Sequence, residues 1–347
     1  MSRLKPISII GGGLSGLTLG IGLRRKGVPV TIQEAGMYPR HRVCGEFING
    51  KGQQTLTRLE LLGTLIEAGA LEAKTARFFI GHGASPVHTL PRSALCISRH
   101  TLDAVLAEVF CRNGGELMTG RRWRGEMNVE GVVRATGRRL RATEQGWRWF
   151  GLKVHAQNVP LTADLEIHGL CQGYVGLCRI ESGKVNVCGV FRRPCSRPQT
   201  GEDWRETLRG DNGSSLRKRL AEATFDETTF CSVAGLSLDP ARASGRLECC
   251  IGDAITMTPP VTGNGMSMAF EAAEAAVEPL WKYSLGESGW DNARQEVANR
   301  CDRAFERRLR WARRLQRLMF SPVTQGPAGV VLLSSGRVWR WFYDQTR

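Results

Sequence analysis

The sequence predicts an α/β protein: a parallel-sheet domain built around the N-terminus, an antiparallel-sheet domain, and helices at the C-terminal end. Three observations carry this expectation. A strand, a glycine-rich turn, a helix and a second strand follow one another within the first 34 residues. Apolar residues alternate in strand fashion between Trp147 and Phe191. Beyond Asn292, apolar residues recur at helical spacing among many arginines.

In the first unit, Pro6-Ile7-Ser8-Ile9-Ile10 is a short buried strand. Gly11-Gly12-Gly13-Leu14-Ser15-Gly16 follows, and Leu14–Lys26 is a helix closed by Gly27. Val28–Ile32 is the next strand, with Glu34 and Ala35 at its end. Gly11 makes the tight strand-to-helix turn, Gly13 leaves room for a pyrophosphate, and Gly16 lets helix and strand pack closely. The unpaired N–H groups at the helix start, around Leu14 and Ser15, present partial positive charge to phosphates. Glu34 lies 23 residues after Gly11, where a carboxylate accepts ribose hydroxyls and repels a 2′-phosphate.

A second signal begins at Arg246–Ile251, a strand that leads into Gly252-Asp253-Ala254. Pro259-Pro260-Val261-Thr262-Gly263-Asn264-Gly265-Met266 then opens a helix through about Leu285. This segment resembles the C-terminal FAD motif of the p-hydroxybenzoate hydroxylase and geranylgeranyl reductase superfamily. The resemblance implies a Rossmann-like (glutathione-reductase-type) FAD-binding domain with an antiparallel-sheet substrate domain and C-terminal helices. It implies that Asp253, beside Gly252, holds a ribityl hydroxyl, and that Pro260 and the N–H groups of Gly263, Asn264, Gly265 and Met266 face the flavin. Tyr38–Phe47 looks like the flavin-contacting loop of geranylgeranyl reductases, which places Arg42, Cys44 and Gly45 at the cofactor. It also makes His41, Cys44 and Glu46 the acid–base candidates, since His ionises near neutral pH and a buried Cys or Glu is readily shifted. A Glu46–Arg42 salt bridge and a merely packed Cys44 are the structural alternatives. Ser98-Arg99-His100-Thr101-Leu102-Asp103, opening a helix to about Asn113, resembles the family's Arg-containing helix start, with Arg99 at the phosphate or ribityl region.

On this reading residues 1–70, 96–146 and 246–290 form the FAD-binding domain, 71–95 and 147–245 the substrate domain, and 291–347 a C-terminal helical segment. The sequence departs from the family in three places. Ala135-Thr136-Gly137-Arg138 stands where relatives have Asp-Gly; Gly137 is kept at the cofactor, but Thr136 replaces the Asp that supports nicotinamide handling. Gly115–Val132 is too short for the usual three-stranded excursion. A second GxGxxG is absent, so NADPH or NADH, as reductant, would bind only transiently in a groove. The Trp-x-Trp-x-Ile-Pro segment of the related flavin halogenases is also missing.

In the middle of the chain, Trp147–His155, Leu161–His168, Tyr174–Ile180 and Val185–Phe191 are the predicted strands, with a hairpin turn at Glu181–Lys184. Trp149, Leu152, Val175, Leu177, Cys178, Val187 and Cys188 are candidates for the substrate wall or for core. A helix near Asp203–Ala223 and a strand near Phe230–Ala234 complete the sheet domain. The basic helix Asn292–Phe320 carries Phe305, Leu309, Ala312, Leu315 and Met319 near one stripe. Val330–Leu333 with Val338, Trp339, Trp341, Phe342 and Tyr343 adds an amphipathic end, expected either to pack on the FAD domain or to meet an anionic membrane surface.

The net charge of +15 suits an anionic membrane, an acidic carrier protein or an acidic substrate. Without zinc-finger spacing or an RNA-binding aromatic motif, nucleic acid is disfavoured. The eleven cysteines form no CxxC pair and no zinc spacing, so no metal is expected and free thiols in a reducing cytoplasm are. Residues 1–23 begin with basic residues and an apolar run, but glycines interrupt it and a helix and strand continue it, unlike a signal peptide. No run approaches the roughly 18 apolar residues of a membrane span, so a cytoplasmic chain, at most peripheral to the membrane, is expected. The functional expectation is an FAD-dependent oxidoreductase: a single-component monooxygenase of a hydrophobic, aromatic or polyketide-like small molecule, free or carrier-bound. The alternatives are a geranylgeranyl-reductase-like reductase or dehydrogenase of a carbon–carbon bond, and a non-catalytic FAD- or dinucleotide-binding module.

Overall fold

A computed structural model of the chain describes residues 4–81, 83–139, 141, 143–196, 203–321 and 334–346. The N-terminal βαβ unit is β1 (Ile7–Ile10), α1 (Leu14–Arg25) and β2 (Val30–Gln33). Then come β3 (Phe47–Ile48), α2 (Gly50–Arg58), α3 (Leu62–Glu67), β4 (Leu71–Ile80), β5 (Gly83–Ala84), β6 (His88–Cys96) and α4 (Arg99–Arg112). Short strands β7 (Glu116–Met118) and β8 (Val132–Arg134) precede β9 (Trp147–Gln157), β10 (Leu165–Leu170), β11 (Gly173–Arg179) and β12 (Val185–Pro194). After them lie α5 (Trp204–Arg209), α6 (Ser215–Arg219), β13 (Thr224–Ala234), β14 (Cys249–Cys250), α7 (Gly265–Leu285), α8 (Trp290–Met319) and α9 (Gly336–Gln345).

Two sheets result. The first is parallel, in the order β14-β8-β1-β2-β7. A parallel sheet is covered on both faces, and accordingly Ile7, Ile9, Leu17, Leu19, Ile32 and Phe110 are fully buried in one core shared by the sheet, α1, α4 and α7. The second sheet runs β13-β9-β12-β11-β10-β4-β6-β3, with β5 on β4, and is antiparallel except for the β10–β4 pair.

Several expected elements take a different form for local reasons. The helix expected near Asp203–Ala223 is broken into α5 and α6 at Gly210 and Gly213, both at positive φ, and each piece has its own side-chain cap, Asp203 and Ser214. The strand expected from Phe230 begins at Thr224, with a register shift between Asp226 and Cys231. The strand expected over Arg246–Ile251 is only Cys249–Cys250; Glu248 turns instead to Arg134, and Arg246 to the Ile255 carbonyl. β10 starts at Leu165 because Asp164 is spent accepting the N–H groups of Lys74 and Thr75. Between β7 and β8 no described residue forms a strand. The tail residues Val330–Leu333 lie outside the described residues. All eleven cysteines are free, and only Cys111 and Cys171 are exposed.

Candidate active site

A cavity runs between the two sheets. At one end stand Gly13, Leu14 and Ser15, the first turn of α1. Gly11 and Gly16 are structural glycines behind it: a Cβ on Gly11 would meet the Ala135 carbonyl oxygen at 2.4 Å, and one on Gly16 the Gly11 oxygen at 2.0 Å. A Cβ on Gly13 would meet nothing within 4 Å. The helix start has no side-chain cap, so its N–H groups keep their unpaired character toward the cavity.

Across from it, Gly252 packs on Ser15, whose Oγ lies 2.1 Å from where a Gly252 Cβ would be. Asp253 faces the cavity, and no described residue donates a hydrogen bond to its carboxylate. Burial raises its pKa, against the pull of Arg138 and Arg99. Pro260, Val261, Thr262, Gly263, Gly265 and Met266 continue this wall. Gly263 adopts φ +62°, and α7 starts without a side-chain cap. Asn264 itself turns away: its Oδ1 accepts from Asn49, and its Nδ2 donates to the Thr346 carbonyl at the end of α9.

Between these ends lies the loop Arg42–Phe47. Arg99 is clamped by Asp103 through bonds of 2.7 and 2.8 Å, and Asp103 also pairs with Arg42 at 3.5 Å. The alternative of a Glu46–Arg42 salt bridge is therefore not what forms. Glu46, fully buried at φ +53°, instead accepts from the Arg99 N–H at 2.9 Å and meets His155 Nε2 at 2.8 Å and Lys153 Nζ at 3.3 Å. A non-glycine residue at positive φ is costly and is held by such contacts. Lys153 reaches on to His41 Nδ1 at 3.3 Å, and His41 stacks on His100 with ring centres 4.6 Å apart. Burial, Lys153 and the neighbouring imidazoles push His41 down to about 4, so it is neutral at pH 7. Burial pushes the Cys44 thiol up, away from thiolate. Of the three acid–base candidates, Cys44 and Glu46 line the cavity and His41 stands behind it.

The remaining predicted positions divide in the same way. Gly45, Gly137 and Arg99 line the cavity; Glu34, Ala35 and Gly252 do not. Glu34 accepts from Gly12 and Gly36 N–H groups and from Arg40, each at 2.8 Å, which holds it at about 2 although burial acts the other way. Its Oε2 carries only the Gly12 bond.

The wall formed by the second sheet consists of Ala76, Phe78, Leu90, Leu165, Ile167, Tyr174, Gly176, Cys188 and Val190, and α9 adds Trp339 and Tyr343. Of the wall candidates from the sequence, only Cys188 is here. Leu152, Val175, Leu177 and Val187 point to the opposite face, into a core that α5 and α6 cover. Trp149 and Cys178 join two smaller apolar clusters. Alternate strand residues face opposite sides, and the parity that faces the cavity starts at Tyr174, not Val175. Tyr174 is 4% exposed, and its hydroxyl has no partner among the described residues. Lys153, His155 and Tyr174 are given no site role by the sequence, and Arg138 and Trp339 are named there only as part of the Ala135–Arg138 segment and the amphipathic tail. The signal for the first two was present: a Lys and a His spaced by two in an otherwise apolar strand.

This arrangement fits FAD. Two uncapped helix starts converge on one cavity, Gly13 and Gly265 leave open space where a Cβ would stand, and Asp253 is free to accept hydroxyls. Arg42 Nε is buried, and its 3.5 Å approach to Asp103 is an ion pair without a hydrogen bond. Solved structures have the same architecture. The halogenase PltM superimposes with a TM-score of 0.73 at 13% identity, covering 97% of this chain and 78% of that one. PqsL, a probable FAD-dependent monooxygenase from Pseudomonas aeruginosa, gives 0.68 at 16% identity, covering 99% of this chain and 100% of that one. The fold is the one these solved structures share. The flavin-dependent brominase Bmp2 shares it, with a TM-score of 0.69 at 17% identity over 98% of this chain and 99% of that one. No protein-family model and no curated protein sequence matches the chain.

Proposed function

We propose that the chain binds FAD and is a single-component monooxygenase of an apolar aromatic small molecule. The observation that carries this is the continuity of one cavity. Its polar end has the uncapped helix starts and Asp253, and its other end is an apolar wall with one unpartnered phenol, Tyr174. When bound, FAD supplies the redox chemistry, activating O₂ so that one oxygen atom enters the substrate ring.

The chain's own residues bind, orient and exclude water. Phe78, Leu90 and Ile167 present an apolar surface to a flat ring, while Trp339 and Tyr343 close it from the far side. The buried Tyr174 hydroxyl, costly without a partner, selects a substrate bearing a complementary polar group. Glu46 sits where a substrate proton can be taken up, held by Lys153 and His155. Monooxygenation is favoured over halogenation by the missing Trp-x-Trp-x-Ile-Pro segment. PqsL has been crystallised with 2-aminobenzoylacetate, which makes amino- and hydroxy-aromatics the first substrates to test.

The test uses protein reconstituted with FAD and reduced anaerobically, first by dithionite and then by NADPH or NADH as candidate donors. Mixing with O₂ is expected to reoxidise it, and an amino-aromatic substrate should emerge with one added oxygen. Oxygen-insensitive hydride exchange with a carbon–carbon double bond would instead assign a reductase. Failure to retain FAD would overturn both.

A further inference from the structure

Behind the loop Gly252–Thr258 lies a second cavity of about 360 Å³. It meets the first only at a shared wall of Gly252-neighbouring Asp253, Thr258 and Ala269, which face both. Its floor is apolar, made by Ile255, Met268, Phe305 and Leu309. Its rim is basic: Arg310, Arg313, Arg314 and Arg317 of α8, with Arg242 opposite.

Residues three and four apart on a helix are neighbours, so these like charges disfavour α8 unless something compensates them. The nearby carboxylates do so only in part. Glu306 is shared between Arg242 at 2.5 Å and Arg310 at 3.4 Å, and Asp239 holds Arg313 at 2.5 Å. Asp302 is spent on the N–H groups of Ala243 and Ser244. Arg314 lies over the Trp311 ring at 4.8 Å. Neither Arg314 nor Arg317 has a carboxylate partner among the described residues. An apolar hole behind uncompensated guanidinium groups matches one class of molecule: an apolar body ending in an anion, whose head takes bidentate hydrogen bonds that guanidinium offers.

We propose that this cavity binds an organic anion with an elongated apolar body, its carboxylate or phosphate on the arginine rim and its chain against Phe305 and Leu309. Nothing in the inference depends on FAD or on the reaction proposed above. The full chain, with and without added FAD, is titrated calorimetrically with decanoate, decyl phosphate, decanol and inorganic phosphate. The expected result is saturable one-to-one binding of decanoate or decyl phosphate, the tighter of the two identifying the head group. Decanol and inorganic phosphate, each supplying half of the match, should bind at least tenfold more weakly. The Arg314→Gln, Arg317→Gln double variant should weaken the anion at least tenfold, and Leu309→Trp, which fills the floor, should abolish binding; thermal melts check that both fold. Rising salt should also weaken binding. The proposal is overturned if neither anion saturates, if decanol binds as tightly, or if folded variants bind as the parent does, which would put the ligand in the other cavity.

Discussion

At Gly13 the backbone (φ −85°, ψ −173°) is one that any residue adopts, and an added side chain meets open space. Gly13→Val should therefore leave the fold within about 1 kcal/mol of the parent while removing FAD binding, because the side chain occupies room that a pyrophosphate needs. Gly11→Ala should do the reverse damage. Its φ of +110° and the 2.4 Å approach to Ala135 predict a loss on the order of 2–3 kcal/mol. Urea unfolding and FAD titration of the two variants check the pair; a folded Gly13→Val protein that keeps FAD would remove the phosphate-loop assignment. His41 makes a second prediction at this scale. Its pKa in the fold, about 4, lies below the ordinary 6.5. Between those values the unfolded chain holds a proton that the folded chain does not, so stability falls as pH drops from 6.5 toward 4. His41→Gln should flatten that slope, measured by unfolding at pH 7, 5.5 and 4.5. Some slope should remain, since burial also lowers His168.

Among the elements, α9 is the one whose role the sequence left open. Trp339 is buried, stacks on His88 with ring centres 4.9 Å apart, and lines the cavity with Tyr343; Thr346 is tied to Asn264 at the start of α7. Trp341 is 47% exposed. A chain ending at Ser334 should therefore lose stability, by about 3–5 kcal/mol for the emptied Trp339 site alone, and lose the far wall of the cavity. Adsorption to anionic vesicles at low salt, compared for the full and shortened chains, separates this from a membrane role: unchanged melting with lost vesicle binding would contradict the packing argument. The sequence made α1, α4, α7 and α8 legible because glycines, a Ser cap and sustained periodicity mark them. It did not reveal the face of the second sheet. Val175 and Tyr174 are equally apolar in pattern, and only pairing with β10 and β12 decides which looks into the cavity. Nor could it foresee that Glu46 turns to Lys153 and His155, partners 107 and 109 positions away in the chain.

For the molecule as a whole, the two cofactor motifs were readable separately, and folding brings Ser15 against Gly252 across the intervening chain. Both ends of the cavity exist only when the parallel core and the second sheet are docked, so FAD should stabilise the entire chain. At a hundredfold excess over Kd the gain is about 2.7 kcal/mol, roughly 4 °C in melting temperature for a chain of this length. The purified protein should be yellow and release FAD, not FMN, on denaturation. A colourless protein whose melting temperature ignores added FAD would count against the proposed function as a whole.

The cysteines turn this cooperativity into something countable. With Cys111 and Cys171 exposed and Cys96, Cys178, Cys249 and Cys250 buried away from the cavity walls, a thiol reagent applied to the native protein should tag the first two quickly and these four only as the structure opens. Mass spectrometry of the tagged chain would then give a molecule-by-molecule tally of opening. Because Cys249 and Cys250 sit in the parallel sheet while Cys96 and Cys178 sit in the other, the order of tagging would tell which sheet gives way first.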